Sequence, residues 1–128
     1  MSAEWEVQKA IFAKLNIDLA VPVFDFVPQE GAPSNYVTIG ADTLAPFSTD
    51  GKSGFDGTLA IHSWAVANGR KTIKTLQGAV YDSLNRADLA VTGYNSIGID
   101  FEFSETNLDP DGVTYHGVQR FRILIMEQ

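Results

Sequence analysis

Two histidines are the side chains in this sequence whose type best suits catalysis or metal binding. His62 and His116 each lie in a segment predicted to be a strand, so the two rings could meet across a sheet. With Asp109 or Asp111 as a further ligand, such a pair could hold a metal ion and activate water, as in a small metal-assisted hydrolase. The chain lacks the His-x-x-x-His and His-Glu-x-x-His spacings that support this chemistry. We therefore interpret both histidines as packed or edge residues of the sheet.

Residues 109–112 begin like a calcium-binding loop, with the order Asp-x-Asp-Gly. A calcium loop needs a later acidic ligand at a set spacing, and Arg120 stands there instead. Pro110 and Gly112 occupy the second and fourth positions, where these residues favour a type I turn. We therefore interpret the motif as a tight turn.

The remaining polar motifs are also incomplete. Gly51-Lys52-Ser53 resembles the end of a phosphate-binding loop, but the upstream glycine and the strand–loop–helix context are missing. Ser48, Ser53 and Ser63 have no Gly-x-Ser-x-Gly context. The absence of cysteine excludes disulfides, thiolate chemistry and Cys-based metal sites. The sequence thus predicts no enzyme, no catalytic residue, and no cofactor or metal site.

The acidic balance of the chain limits its partners. Sixteen Asp and Glu residues against nine Lys and Arg give 128 residues a net charge of −7 and a pI of about 4.6. Gripping nucleic acid needs clustered cations, so this balance argues against it, while DNA could still slide past an acidic surface. No 18-residue apolar stretch could span a bilayer, and the acidic N-terminus does not read as a signal peptide. We expect one domain, residues 1–128, made and used in the cytoplasm without a membrane partner.

Hydrophobic periodicity predicts two helices. The first covers about residues 2–16 and is capped by Ser2. Its core stripe is Ile11, Phe12 and Leu15, with Trp5 at the edge. The second, about residues 70–85, is the clearest amphipathic segment, and Gly78 within it is interpreted as a point of close packing on the sheet. The apolar positions of this second helix are Ile73, Leu76, Val80 and Leu84.

Five segments have the composition or alternation of strands. They are residues 21–27, 36–42, 57–67, 97–103 and 113–126. Residues 28–33 are predicted to be a loop, and residues 46–54 either a long hairpin tip or a flexible loop. The order α-β-β-β-α-β-β predicts an α+β fold, a mainly antiparallel β-sheet with two α-helices packed on one face.

Three groups of residues follow one another from the first helix to the last strand. The first is Val23-Phe24-Asp25, Pro28 and Pro33-x-x-Tyr36-Val37-Thr38-Ile39-Gly40; the second is Leu59-x-Ile61-His62-Ser63-Trp64 with the Gly69-Arg70 turn; the third is Asp109-Pro110-Asp111-Gly112-Val113-Thr114-Tyr115-His116-Gly117-Val118 with Arg120-Phe121-Arg122. In their order and spacing these groups resemble the tail-completion, or tail-terminator, proteins of long-tailed bacteriophages, prophages and gene transfer agents. The resemblance covers nearly the whole chain.

The resemblance implies a structural virion protein. Proteins of this family are similar to small α/β subunits that form a homo-hexameric ring, terminate the tail tube and join it to a head–tail connector or stopper protein. The resemblance also implies assembly in the host cytoplasm and a final position at the head-proximal end of the tail. DNA would pass through the ring without specific binding. No catalytic residue and no cofactor are carried over.

Other functions fit parts of the sequence. A head-closure ring or another neck protein is the nearest alternative, and the tail tube itself fits less well because tube subunits are usually β-rich. Alternatives from other classes are the metal-assisted hydrolase described above and a small-ligand binding module. Trp64, Phe101 and Phe103 could line the pocket of such a module, although large aromatic side chains more often fill a core.

Seven residues are the candidate contacts with other subunits, the tube or the connector. They are Phe47, Lys52, Phe55, Asp100, Glu102, Arg120 and Arg122. Residues 46–54 could dock on a tube or connector, with the two phenylalanines as apolar anchors at either end, or could form a mobile hairpin loop. The two acidic residues, with Glu105, either face solvent, line a channel or meet the two arginines. The arginines are interpreted as cross-strand partners or as subunit contacts.

Overall fold

The computed structural model describes residues 2–25, 27 and 30–128. In order, its elements are α1 Ala3–Asp18, β1 Val23–Phe24, β2 Tyr36–Thr49, β3 Lys52–Val66, α2 Lys71–Leu84, β4 Tyr94–Leu108 and β5 Thr114–Glu127. This is the predicted order, and the predicted α+β class is confirmed. Neither described helix is long and apolar enough to cross a membrane.

The five described strands form one sheet in the order β1-β2-β3-β5-β4. The short β1 pairs with β2 in parallel, and the other pairs are antiparallel, so the sheet is mainly antiparallel as predicted. β4 forms one edge. β1 covers the outer side of β2 only at Val37 and Thr38, so the rest of β2 forms the other edge.

The core lies between the two helices and one face of the sheet. α1 packs on β1 and β2, and α2 packs on β3, β5 and β4. Apolar side chains at alternate positions of the strands are thereby removed from water. Among the largest of these are Ile61, Ile99, Phe121, Ile123 and Ile125. In the described part of the chain, no helix covers the opposite face of the sheet, which we call the open face.

The first helix differs from its prediction. Ser2 caps it as expected, because its side-chain oxygen accepts a hydrogen bond from the Trp5 backbone N–H at 3.2 Å. Phe12 was predicted to lie in the core and is 37% exposed. The helix buries a stripe continued by Val7 rather than Phe12, because each residue turns about 100° around the axis and Phe12 is carried away from Ile11. Trp5 is 52% exposed.

The second helix has the predicted core face. The four apolar positions predicted for it are all buried. Gly78 is exposed, and a Cβ added there would meet nothing within 4 Å. The interpretation of Gly78 as a point of close packing is therefore wrong.

The β2–β3 hairpin resolves the alternatives for residues 46–54. These residues continue both strands to a two-residue turn at Asp50 and Gly51, with φ of 50° and 78°. Positive φ at both central residues is typical of the type I′ turn, which favours Asp-Gly. The segment is a long hairpin tip, not a flexible loop.

The predicted first strand is shorter than expected. Of the described residues in 21–27, Val23–Phe24 form β1. Phe26 in that segment, and Pro28 and Gln29 in the predicted loop, lie outside the described residues. Pro22 lies just before β1, and its carbonyl accepts a hydrogen bond from the Val37 N–H at 3.0 Å.

Candidate functional site

The two histidines meet across the sheet, as the sequence suggested. His62 and His116 lie on adjacent strands on the open face, with Nδ1 of the first 2.7 Å from Nε2 of the second. The two imidazole rings are stacked with their centroids 5.0 Å apart. The Trp64 ring stacks on His116 with a centroid distance of 3.8 Å and an interplanar angle of 3°. Gly40 makes room for this arrangement, because a Cβ there would lie 2.5 Å from the His62 ring.

Burial favours the neutral form of both histidines. It lowers the pKa of His62, and burial together with the neighbouring His62 lowers the pKa of His116. One ring can then donate to the other through the shared hydrogen bond. Two imidazoles are too few ligands for a metal site, which needs three or four.

The proposed third ligands are held elsewhere. The Asp111 carboxylate accepts hydrogen bonds from the Thr114 hydroxyl and from the N–H groups of Val113 and Thr114, and these bonds lower its pKa. Asp109 accepts the Gly112 N–H through its carbonyl, which closes the predicted tight turn. Within the described residues, no group of three His, Cys, Asp or Glu side chains is placed to hold a metal ion.

The two arginines of β5 form cross-strand ion pairs. Arg120 Nε lies 3.0 Å from Glu102 Oε1 on β4. Arg122 makes a two-pronged contact with Asp56 on β3, with its Nε 2.9 Å from Oδ1 and its Nη2 on Oδ2. These hydrogen bonds raise the pKa of Arg122 and lower that of Asp56. Of the two interpretations of the arginines, the structure contains the cross-strand one.

Asp56 was missed from the sequence. It lies between residues 46–54 and the predicted third strand, and only the strand order places it beside β5. Asp100 is opposite Arg122 in register, but its nearest cationic partner is Arg86, at 3.9 Å. The acidic patch of β4 is therefore partly neutralised within the chain.

The residues at the hairpin have different environments. Lys52 is exposed beside the turn. Phe55 packs edge-on against Tyr94, with ring centroids 6.1 Å apart, and borders the core. Phe47 is half-buried opposite Gly54, where a Cβ would lie 3.0 Å from the Phe47 ring and 2.3 Å from the Ile125 carbonyl oxygen. Phe55 thus holds the hairpin on the sheet, and Lys52 is exposed with no ion-pair partner among the described residues.

A groove between α2 and β4, which the sequence did not indicate, has a volume of about 510 Å³. We call it the α2–β4 groove, and its lining residues include Arg70, Lys74, Tyr81, Phe101, Glu105 and Gln119. At its base the Gln119 side-chain nitrogen donates to the Gln77 carbonyl at 2.9 Å, and Gln77 accepts the Thr106 hydroxyl at 3.0 Å. Gln119 is 2% exposed, and its Oε1 has no partner among the described residues.

Cations are concentrated beside this groove. Five of the nine Lys and Arg side chains form ion pairs within the chain. Of the four that have no such pair among the described residues, Arg70, Lys71 and Lys74 stand at the start of α2, and the fourth is Lys52. Arg70 also lies over the Tyr115 ring, 5.6 Å from its centroid.

Comparisons with known proteins agree with the predicted resemblance. The family model described as "Tail completion protein gp17" matches residues 9–126. The chain is 26% identical over 116 residues to the tail completion protein gp17 of Bacillus phage SPP1, and the alignment covers 86% of each protein.

Two solved structures have the same fold. A chain in the virion of a native gene transfer agent particle superposes with a TM-score of 0.87 at 22% identity, covering 98% of both chains. Bacteriophage SPP1 gp17 superposes with a TM-score of 0.61 at 24% identity, covering 94% of this chain and 89% of the other.

Proposed function

Because this chain belongs to the tail completion protein gp17 family, we propose that it forms a homo-hexameric ring that ends the tail tube and joins it to the head connector or stopper. The chain is a structural protein of a phage-type tail. The ring, its head-proximal position and its neighbours are the proposal. The observation that carries it is the family match from the middle of α1 to the end of β5.

The two edges of the sheet support a ring. The outer side of β4, and that of β2 beyond Thr38, have no strand partner among the described residues. Unpaired backbone groups on an edge strand invite contact with another chain. A repeated head-to-tail contact between opposite sides of one subunit closes into a ring when the rotation allows it.

The hairpin tip is the proposed contact with the tube or connector. The last pair between β3 and β5 is Gly54 with Met126, and the hairpin continues beyond it to Asp50 and Gly51. Lys52 is exposed on this projection, and Phe47 lies at its base. A projecting hairpin can reach a neighbouring ring without disturbing the sheet that holds it.

We assign the open face to the channel through which DNA passes. Its arginines, Arg120 and Arg122, are paired with the carboxylates of Glu102 and Asp56, and Asp100 lies opposite Arg122. Phosphate binding needs clustered, available cations. Such a face would let DNA slide without specific binding, and this role requires no catalytic residue or cofactor.

The test is removal of the gene from the genome that encodes this chain. We expect unjoined heads and tails, with tube lengths no longer uniform, because nothing stops polymerisation. Supplying the chain in trans should restore joined particles. Joined particles with tails of normal length in the deletion would contradict the proposal. Uniform tails that merely lack heads would also contradict it and would point to a head-closure ring.

A further inference from the structure

We infer that neighbouring copies in the proposed ring meet through the α2–β4 groove of one copy and a patch on α1 of the next. We call this second surface the α1 edge patch and define it as Trp5, Phe12 and Asp25. The inference rests on the proposed ring and adds the surfaces that form its contact. Neither surface contains any of the seven contact residues predicted from the sequence.

The groove side is electropositive in an acidic protein. Arg70 and Lys74 line the groove and have no carboxylate partner within 4.0 Å among the described residues, while Glu105 is the one acid in its lining. The α2 N-terminus has no side-chain cap and no acid in its first turn, so the helix dipole adds positive potential there. Cationic side chains at the N-terminus of a helix are repelled by the positive end of its dipole. An acidic group of a partner placed there would offset this repulsion.

The base of the groove also lacks a partner. The buried Gln119 Oε1 is an acceptor with no donor among the described residues. A buried polar atom left without a hydrogen bond costs free energy, and an incoming donor would recover it. After a small side-chain shift, an N–H group such as the Trp5 indole of the next copy can supply that bond.

The α1 edge patch has the complementary character. Trp5 and Phe12 are large aromatic side chains left 52% and 37% exposed on one side of α1. Asp25 lies beside them, is exposed, and has no ion-pair partner among the described residues. Lys9 also borders this surface, but its charge is paired with Glu6 at 3.1 Å. An acid next to exposed aromatic rings suits a groove that offers cations together with Tyr81 and Phe101. Trp, Tyr and Arg are the residue types that dominate interface energies.

The topology places the two surfaces on opposite sides of the molecule. α1 covers β1 and β2 at one end of the strand order, and the groove lies beside β4 at the other end. A head-to-tail ring needs complementary surfaces on opposite sides of each subunit, which is the arrangement observed. The occupant of the groove is therefore a second copy of this chain.

A charge swap tests the contact. In Lys74→Glu the groove becomes acidic and repels the α1 edge patch; in Asp25→Lys the patch becomes basic and repels the groove. Each variant alone should self-associate several-fold more weakly than the unmodified chain in sedimentation equilibrium at low salt. A one-to-one mixture should regain association, since each altered surface then faces its complement. Lys14→Glu, with the same charge change at a site on α1 outside both surfaces, should self-associate like the unmodified chain.

Folding can be separated from association in these variants. An acid at position 74 lies near the positive end of the α2 dipole, so Lys74→Glu should keep or raise the thermal midpoint. A mixture that fails to regain association, or single variants that associate normally, would overturn the inferred contact.

A steric variant gives a second, charge-independent test. Gly78 lies in the groove lining with open space around it, so Gly78→Leu fills the groove while Gly78→Ala barely enters it. We expect the leucine variant to lose association and the alanine variant to keep it. Equal association of the two would overturn the inference.

Recovery in particles distinguishes this inference from the proposed function. The same variants are supplied to the deletion genome and scored by the amount of the chain in purified particles. If the unmodified chain is absent from particles, the proposed function fails, and the swap in solution still decides the contact. If the unmodified chain is present and both single-charge variants enter particles normally, only the contact is wrong.

Discussion

The histidine pair shows how a side chain's surroundings decide its chemistry. Burial lowers the pKa of both His62 and His116, and their rings share one 2.7 Å hydrogen bond. A neutral pair can share that bond, whereas two imidazolium rings offer only donors and repel each other. As the pH falls, protonation of the histidines therefore weakens this contact before the carboxylates are protonated.

We expect the free energy of unfolding to fall as the pH is lowered from about 7.5 to about 5. The folded chain holds both histidine pKa values below those of the unfolded chain, so unfolding takes up protons in this range. The contribution of the two histidines to the free energy of unfolding is complete above their unfolded pKa of about 6.5 and is lost progressively below it. Urea unfolding at a series of pH values measures it.

The matched control is His62→Gln combined with His116→Gln, which keeps hydrogen-bonding groups but does not titrate. Its stability should change much less across the same range. The acids with lowered pKa, Asp18, Asp56 and Asp111, contribute only at lower pH and do not interfere. An equally steep decline in the double variant would contradict the prediction.

Two glycines in regular elements differ in the space that a Cβ would have at their positions. Gly78 in α2 has open space where a Cβ would be, with nothing within 4 Å of it among the described residues. Gly54 in β3 lies so close to β5 that a Cβ would approach the Ile125 carbonyl oxygen to 2.3 Å. The second site cannot relax cheaply because the obstacle is backbone.

Gly78→Ala should stabilise the chain by about 1 kcal/mol, because alanine loses less backbone freedom than glycine in a helix interior. Gly54→Ala should destabilise it by about 1–3 kcal/mol through overpacking. Urea unfolding of the two variants, with the unmodified chain alongside, measures both. A destabilised Gly78→Ala, or a tolerated Gly54→Ala, would contradict the described packing.

At the scale of the whole molecule, charge is distributed unevenly. Five of the nine cations form ion pairs, and the largest group without one among the described residues lies at the start of α2 beside the groove. The exposed aromatic residues of α1 lie toward the other end of the strand order. A molecule with different surfaces at its two sides favours head-to-tail assembly over a two-fold dimer.

We expect the mass measured by light scattering with size exclusion to climb from 13.9 kDa toward six times that value as concentration rises. Added tail tubes should favour the sixfold species by offering a template. High salt should weaken the association, since exposed charges are screened within about 10 Å at 0.1 M. A strict monomer both with and without tubes would contradict the ring.

Local patterns alone predicted most of the architecture. The apolar positions of α2 and β5 predict which face of each element is removed from water, and the structure confirms them. The alternation predicted for β4 is interrupted, because register shifts at Ser96/Gly98 and Phe101/Phe103 leave Ile97 and Phe103 exposed. The Asp109–Gly112 turn was equally readable, because Pro and Gly restrict the backbone at set positions. The family resemblance also depended only on residues and their order.

The tertiary structure decided which surfaces and side chains meet. His62 lies beside His116, and Arg122 beside Asp56, because β3 pairs with β5 across 54 and 66 positions of sequence. Phe12 is exposed and the α2–β4 groove is open because of where the helices sit on the sheet. A local pattern determines which face is apolar, since that depends on neighbours in sequence. Contacts depend on strand order and register, which arise only when distant segments pair.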